Sequence, residues 1–283
     1  MSETIRLGIS TCPNDTFAFH ALMNRLVDWR GLEFDVRLLD IQQLNDQLFA
    51  GRFDVAKCSF HAALLLSDSM VVLPSGSALG FGVGPLLLSS TADARTGASP
   101  ASTEQVTLCP GRHTTATLLF RLFYPDSTRI EQVVFSEIMP RLVQNTANFG
   151  VCIHEGRFTW QDQGLGLVED LGTRWENETQ CPLPLGGLVG DTKLPREVLQ
   201  NVQAVVRDSL EFSIADPAGA LETMRKYAQE FDDDVLMQHV RLYVNDWTVD
   251  LGAIGAAALD RLNQKARQAG IIPRQTAGLK ILS

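Results

Sequence analysis

Apolar residues along this chain follow two rhythms. Ile5, Leu7 and Ile9 alternate with polar neighbours, as do Phe34, Val36 and Leu38, and a period of two predicts strands. Between them the spacing turns helical over residues 16–26. Asn14 and Asp15 stand just ahead of it as natural caps. Asp40 caps a second helix, with Ile41, Leu44, Leu48 and Phe49 on one face and Gly51 at its end. Short apolar runs predict further strands at residues 54–59, 70–73, 83–88, 106–108, 133–135, 149–153 and 167–168. Leu118, Leu119, Leu122 and Phe123 recur at helical spacing after the loop at residues 110–115, and Ile138, Met139, Leu142 and Val143 do so after the strand at 133–135.

From Leu194 onward the pattern is almost wholly helical. Asp216-Pro217 reads as a cap followed by a first-turn proline, with Leu221, Met224, Ala228 and Phe231 along one face. Asp232 to Asp234 open a helix carrying His239 and Tyr243, and a last helix runs over residues 252–269 to Gly270. The glycines at 76, 80, 82 and 84 suit a bend or hinge, since no G-x-G-x-x-G opens a helix there. Residues 89–103 are small, polar and aperiodic and read as a crossing between lobes, while Pro182-Leu183-Pro184-Leu185-Gly186-Gly187 reads as the return. The expected fold is α/β and two-lobed. Residues 1–90 begin lobe 1, residues 91–187 form lobe 2, and residues 188–283 return to lobe 1 and end in helices. A length of 283 residues suits one large domain or two lobes.

Composition narrows the function more than the fold. Hydrophobic residues make up 45% and charged residues 20%, ordinary values for a globular chain. A formal net charge of −9 argues against binding nucleic acid or an anionic membrane non-specifically, because both need a basic face. A local pocket for an acidic small molecule stays open. The amino terminus enters a strand without a basic segment followed by an apolar one, and the longest apolar runs are too short to span a bilayer, so the expected address is cytoplasmic. Cys12, Cys58, Cys109, Cys152 and Cys181 form no C-x-x-C pair and read as reduced thiols. The oligomeric state is not legible.

Four loops stand at the carboxyl ends of predicted strands, where open α/β sheets place ligands. They hold residues 10–15, 57–59, 111–115 and 154–155. Together they offer the Lys57 ammonium, several hydroxyls and a helix start at Thr114 or Thr115 for an acid, and the His154 imidazole to move a proton near neutral pH. Glu155 follows His154 directly and would face the other way in a strand, so no dyad is assumed. His20, His61, His113 and His239 read as structural. Without H-x-x-x-H or H-E-x-x-H spacing, a metal is not expected, and no G-x-S-x-G elbow supports serine catalysis.

Four segments carry a more specific signal. Ser10-Thr11-Cys12-Pro13-Asn14-Asp15-Thr16-Phe17, Gly111-Arg112-His113-Thr114-Thr115-Ala116, Ile153-His154-Glu155 and Pro182-Leu183-Pro184-Leu185-Gly186 occur in the order and spacing of the 1,4-dihydroxy-6-naphthoate synthase family, from the futalosine route to menaquinone. The chain resembles that family from its first strand to Tyr243-Val244-Asn245, and beyond Gly270 it matches little. The resemblance implies a type II periplasmic-binding-protein-like fold used as a lyase. Its members convert cyclic dehypoxanthine futalosine to 1,4-dihydroxy-6-naphthoate and dihydroxyacetone, without metal or redox cofactor. It also implies substrate contacts at Lys57, Cys58, Ser59, Thr114 and Thr115 and a proton-accepting histidine at His154. Cys58, where other members can carry an aliphatic residue, is expected to act through its backbone. Asn14, Asp15, Arg112 and His113 are further candidates for the cleft wall. Two other readings stay open, a chorismate dehydratase of the same superfamily and a non-catalytic binder of small organic acids.

Overall fold

The computed structural model describes residues 4–154, 156–227 and 232–283. Glu155, Ala228 and Phe231, named above, lie outside the described residues. The chain opens with β1 (Thr4–Ser10), α1 (Pro13–Ala18), α2 (His20–Met23), β2 (Glu33–Leu39), α3 (Ile41–Phe49), β3 (Val55–Ser59), α4 (Phe60–Leu65), β4 (Met70–Val72) and β5 (Ala78–Gly80). It continues through β6 (Leu86–Ser89), α5 (Thr91–Thr96), β7 (Val106–Cys109), α6 (Thr115–Phe123), β8 (Arg129–Gln132), α7 (Phe135–Val143) and β9 (Phe149–Cys152). α8 (Gly156–Thr159), β10 (Gly166–Asp170), α9 (Leu171–Thr179) and β11 (Leu183–Asp191) follow. The tail is α10 (Arg196–Ala215), α11 (Leu221–Tyr227), α12 (Asp233–Tyr243), α13 (Asp246–Val249) and α14 (Gly252–Gln268).

Two sheets organise these elements. The first has the order β2-β1-β3-β11-β4, with β5 also paired to β11, and the second β10-β6-β9-β7-β8. β1 lies parallel to both β2 and β3, and β7 parallel to both β8 and β9. Parallel neighbours point their carboxyl ends the same way, so the loops after β1 and β3 in one sheet, and after β7 and β9 in the other, emerge on matching edges. β3 is buried at all five positions, as expected of a central strand covered on both faces. Lys57 and Ser59 are the polar exceptions within it.

The apolar pattern is cashed in as three clusters. Ile5, Leu7 and Ile9 of β1 pack with Val202, Val205 and Val206 of α10 on one face of the first sheet. Leu86, Leu108, Ile138 and Leu142 fill one face of the second. The largest cluster belongs to both lobes, with Phe60 and Leu64 of α4 alongside Leu118 and Phe120 of α6. Apolar burial therefore ties the lobes together below the cleft, at roughly 25 cal/mol per Å² removed from water.

Several expected elements differ. The helix over residues 16–26 is instead α1 and α2, meeting at Phe19, and the cap of α1 is Cys12 rather than Asn14 or Asp15. Residues 89–103 are not a crossing, since β6 already pairs in the second sheet and Ser90 caps α5. The chain changes sheets within residues 81–85, and the glycine-rich stretch before that change contains β5. A strand was expected at 133–135, yet β8 occupies Arg129–Gln132 and Val134 caps α7. β8 is an edge strand with no fully buried residue, so its polar sequence gives no apolar run. Pro182 to Gly187 is mostly β11 itself, the strand returned between β3 and β4. Asp216 ends α10 rather than capping a helix at Pro217, and it accepts from the Gly219 N–H at 3.2 Å.

Candidate active site

The four loops meet at one cavity between the two sheets. β1 ends at Ser10, and the turn through Cys12 and Pro13 starts α1, whose first turn holds Asn14 and Asp15. A carboxylate there suits the positive end of the helix. Asp15 reaches the neighbouring strand, where its Oδ1 lies 2.6 Å from Lys57 Nζ, and both side chains are buried. Lys57 also donates to the Gly76 carbonyl at 2.6 Å. The ammonium expected to meet an acid thus arrives already neutralised by a carboxylate, with one of its three donors left for a ligand.

Ser59 closes β3. Its N–H donates to Asn45 Oδ1 at 3.0 Å, and its hydroxyl accepts from Asn45 Nδ2 at 3.1 Å, so α3 fixes a hydroxyl whose proton can still be donated to the cavity. Across the cleft, Thr114 caps α6. Its hydroxyl accepts from Thr117 N–H at 3.2 Å and donates to the Gly111 carbonyl at 2.8 Å. Thr115 donates its hydroxyl to the Leu185 carbonyl at 2.6 Å. Both hydroxyls are spent on holding the turn. What this wall offers a ligand is the N-terminus of α6, where the first backbone N–H groups lack intrahelical acceptors.

His154 follows β9 with φ +57°, a left-handed conformation that costs a non-glycine residue about 1–2 kcal/mol. The turn it makes aims the imidazole at the cavity. Cys12 Sγ, from the opposite lobe, lies 3.5 Å from both ring nitrogens, and the Phe135 ring stands edge-on at 4.8 Å. α12 supplies the remaining wall through His239 and Tyr243. The two imidazoles face each other at 6.2 Å with their planes 29° apart, and the Tyr243 ring lies 4.5 Å from His239. Burial first, then the field of His154, pushes the His239 pKa well below its usual value, so this ring is neutral near pH 7. Ile41, Val83, Ile153 and Leu185 make the rest of the cavity largely apolar.

Sequence comparison places this geometry. A family model described as menaquinone biosynthesis matches residues 5–268. A 1,4-dihydroxy-6-naphthoate synthase of Thermus thermophilus is 38% identical over 269 residues, covering 95% of this chain and 96% of that protein. One from Streptomyces coelicolor is 37% identical, covering 96% of each. The chain belongs to the 1,4-dihydroxy-6-naphthoate synthase family. As a member of that family it is an enzyme of menaquinone biosynthesis. Among solved structures, a protein of Archaeoglobus fulgidus matches with a TM-score of 0.87 at 31% identity, covering 95% of this chain and 98% of that one. The alkanesulfonate-binding protein SsuA of Xanthomonas axonopodis matches at 0.67 with 11% identity, covering 100% of this chain and 98% of that one. At that identity the likeness concerns the fold alone, and the fold is periplasmic-binding-protein-like.

For this naphthoate synthase family member, Asn14, Asp15, Lys57, Ser59, Thr114, Thr115 and His154 all line the one cavity. Three of the named residues do not. The Cys58 side chain points into the core shared by the lobes, where burial pushes its thiol up to about 12, and its backbone pairs with Gly187. Alternation along β3 explains this, because Lys57 and Ser59 share the face that Cys58 cannot. Arg112 and His113 also lie off the cavity wall. The Gly111–His113 turn bends instead toward α3, where His113 N–H donates to Gln42 Oε1 at 3.2 Å and its ring packs on Phe49 at 4.6 Å. Among the described residues no helix is long and apolar enough to cross a membrane.

His239 was expected to be structural, yet it lines the cavity. Leu236, His239, Val240 and Tyr243 are the buried positions of α12, at i, i+3, i+4 and i+7. A histidine occupying the apolar stripe of an otherwise polar helix was the available signal. Cys12 gave none, because its contact with His154 depends on how the lobes meet.

Proposed function

We propose that this enzyme is a carbon–carbon lyase that converts cyclic dehypoxanthine futalosine to 1,4-dihydroxy-6-naphthoate and dihydroxyacetone, with His154 as general base. The observation that carries the reading is the placement of His154 on one wall of an apolar cavity, opposite buried polar groups from the other lobe. An aromatic acid bearing a hydroxylated fragment divides into parts that match those walls. Its ring system takes the apolar surface of Ile41, Val83 and Leu185. Its carboxylate is served by the start of α6, the Ser59 hydroxyl and the remaining donor of Lys57. His154 then takes a proton as the bond to the departing fragment breaks, a contribution of about 10²–10⁴-fold in rate. Enclosure between lobes excludes water and fixes the geometry.

The test is to incubate the purified protein with cyclic dehypoxanthine futalosine and follow the naphthoate by mass and absorbance, with chorismate in a parallel reaction. Formation of the naphthoate alone supports the reading. A dehydrated product from chorismate would make the enzyme the sister dehydratase, and binding of the naphthoate without turnover of either compound would make it a binder.

A further inference from the structure

His239 is 2% exposed, it lines the cavity, and neither of its ring nitrogens has a hydrogen-bond partner among the described residues. Buried polar atoms in a native fold are almost always satisfied, so a pair left open on one ring at a cavity wall marks a place where a ligand completes the bonding. The ring packs against the Tyr243 ring at 4.5 Å, with the His154 ring centred 6.2 Å away. Being neutral, it presents one N–H donor and one lone-pair acceptor.

That combination selects among ligand groups. A carboxylate only accepts, and so leaves the lone pair of His239 facing a negative oxygen. An ammonium only donates, and so leaves the N–H without an acceptor. A hydroxyl group does both, so it completes the bonding of either ring nitrogen whichever of them carries the proton. We propose that His239 binds the hydroxylated fragment that departs from the substrate, hydrogen-bonding one of its hydroxyls through a ring nitrogen, and so holds that fragment beside His154. This rests on the lyase reading above and assigns the two ends of the substrate. The carboxylate goes toward α6 and Lys57, and the hydroxylated fragment goes toward α12.

Two variants and two ligands test it. His239→Phe keeps a ring in the stripe and removes both polar atoms, whereas His239→Gln keeps a donor and an acceptor on one amide. For each, kcat/KM on cyclic dehypoxanthine futalosine is measured together with Kd for 1,4-dihydroxy-6-naphthoate, which lacks the departing fragment. His239→Phe is expected to lower kcat/KM about 3- to 10-fold, the effect of losing one net hydrogen bond, and to leave the naphthoate Kd unchanged. His239→Gln is expected to recover part of the loss. An unchanged kcat/KM in His239→Phe overturns the inference, and so does a parallel loss of naphthoate binding in both variants, which would make His239 a support for the wall. If the wild-type enzyme forms no naphthoate, the lyase reading itself fails and this inference falls with it.

Discussion

Lys57 Nζ sits 2.6 Å from Asp15 Oδ1 on the floor of the cleft, with only 5% and 4% of the two side chains exposed. A pair so far from water is worth little net, because desolvation offsets most of the attraction, but breaking it strands a buried charge. Asp15→Ala and Lys57→Met are each expected to destabilise the protein by about 3–5 kcal/mol. The double variant should cost less than the sum of the singles, since neither charge is then left alone. Denaturant unfolding of all four proteins checks this, and additivity within about 0.5 kcal/mol would mean the two side chains are not coupled.

His61 gives the fold a pH dependence. Burial pushes its imidazole down to about 4 from 6.5, against the opposing pull of the Thr114 carbonyl 3.2 Å from Nδ1. With the folded value below the unfolded one, the unfolded chain binds the extra proton between pH 6.5 and 4. Stability is therefore complete above pH 6.5 and lost as pH falls toward 4, by an amount on the order of 3 kcal/mol. His239, depressed in the same direction, adds to the loss. Melting temperatures recorded from pH 7 to pH 4 should fall, and His61→Asn should flatten the slope. An equal slope in that variant would assign the pH dependence elsewhere.

Gly111, in the turn before α6, packs against α3 of the other lobe. Its φ is +117°, and the space a Cβ would fill is taken by the Gln42 side chain of α3. Gly111→Ala is expected to cost about 1–3 kcal/mol through backbone strain together with that clash. Adding Gln42→Ala should return the steric share and leave the strain, so the double variant should melt between Gly111→Ala and wild type. Full recovery would show that the backbone carries no strain at this turn.

These sites show what could be read before folding. Alternation in Ile5-Leu7-Ile9, the Asp40 cap and the Thr114 cap are local, and each appears where its spacing predicts. The carboxyl ends of parallel strands brought Ser10, Ser59, Thr114 and His154 together because that rule depends on strand direction, which the order of elements implies. The partnership of Lys57 with Asp15 was not legible, since it needs the lateral placement of β1 beside β3. Nor was the place of α12 in the cavity wall, because nothing local to residues 233–243 states where the tail returns. β8 was displaced for the opposite reason. As an edge strand it buries little, and the apolar residues after it belong to the approach to α7.

The most direct measurement of the whole account is single-turnover conversion of cyclic dehypoxanthine futalosine by the wild-type enzyme and by His154→Ala. The wild type is expected to form the naphthoate, and the variant to do so about 10²–10⁴-fold more slowly, with naphthoate affinity retained. A variant that turns over at the wild-type rate would contradict this, and the proton would then have to leave by another group.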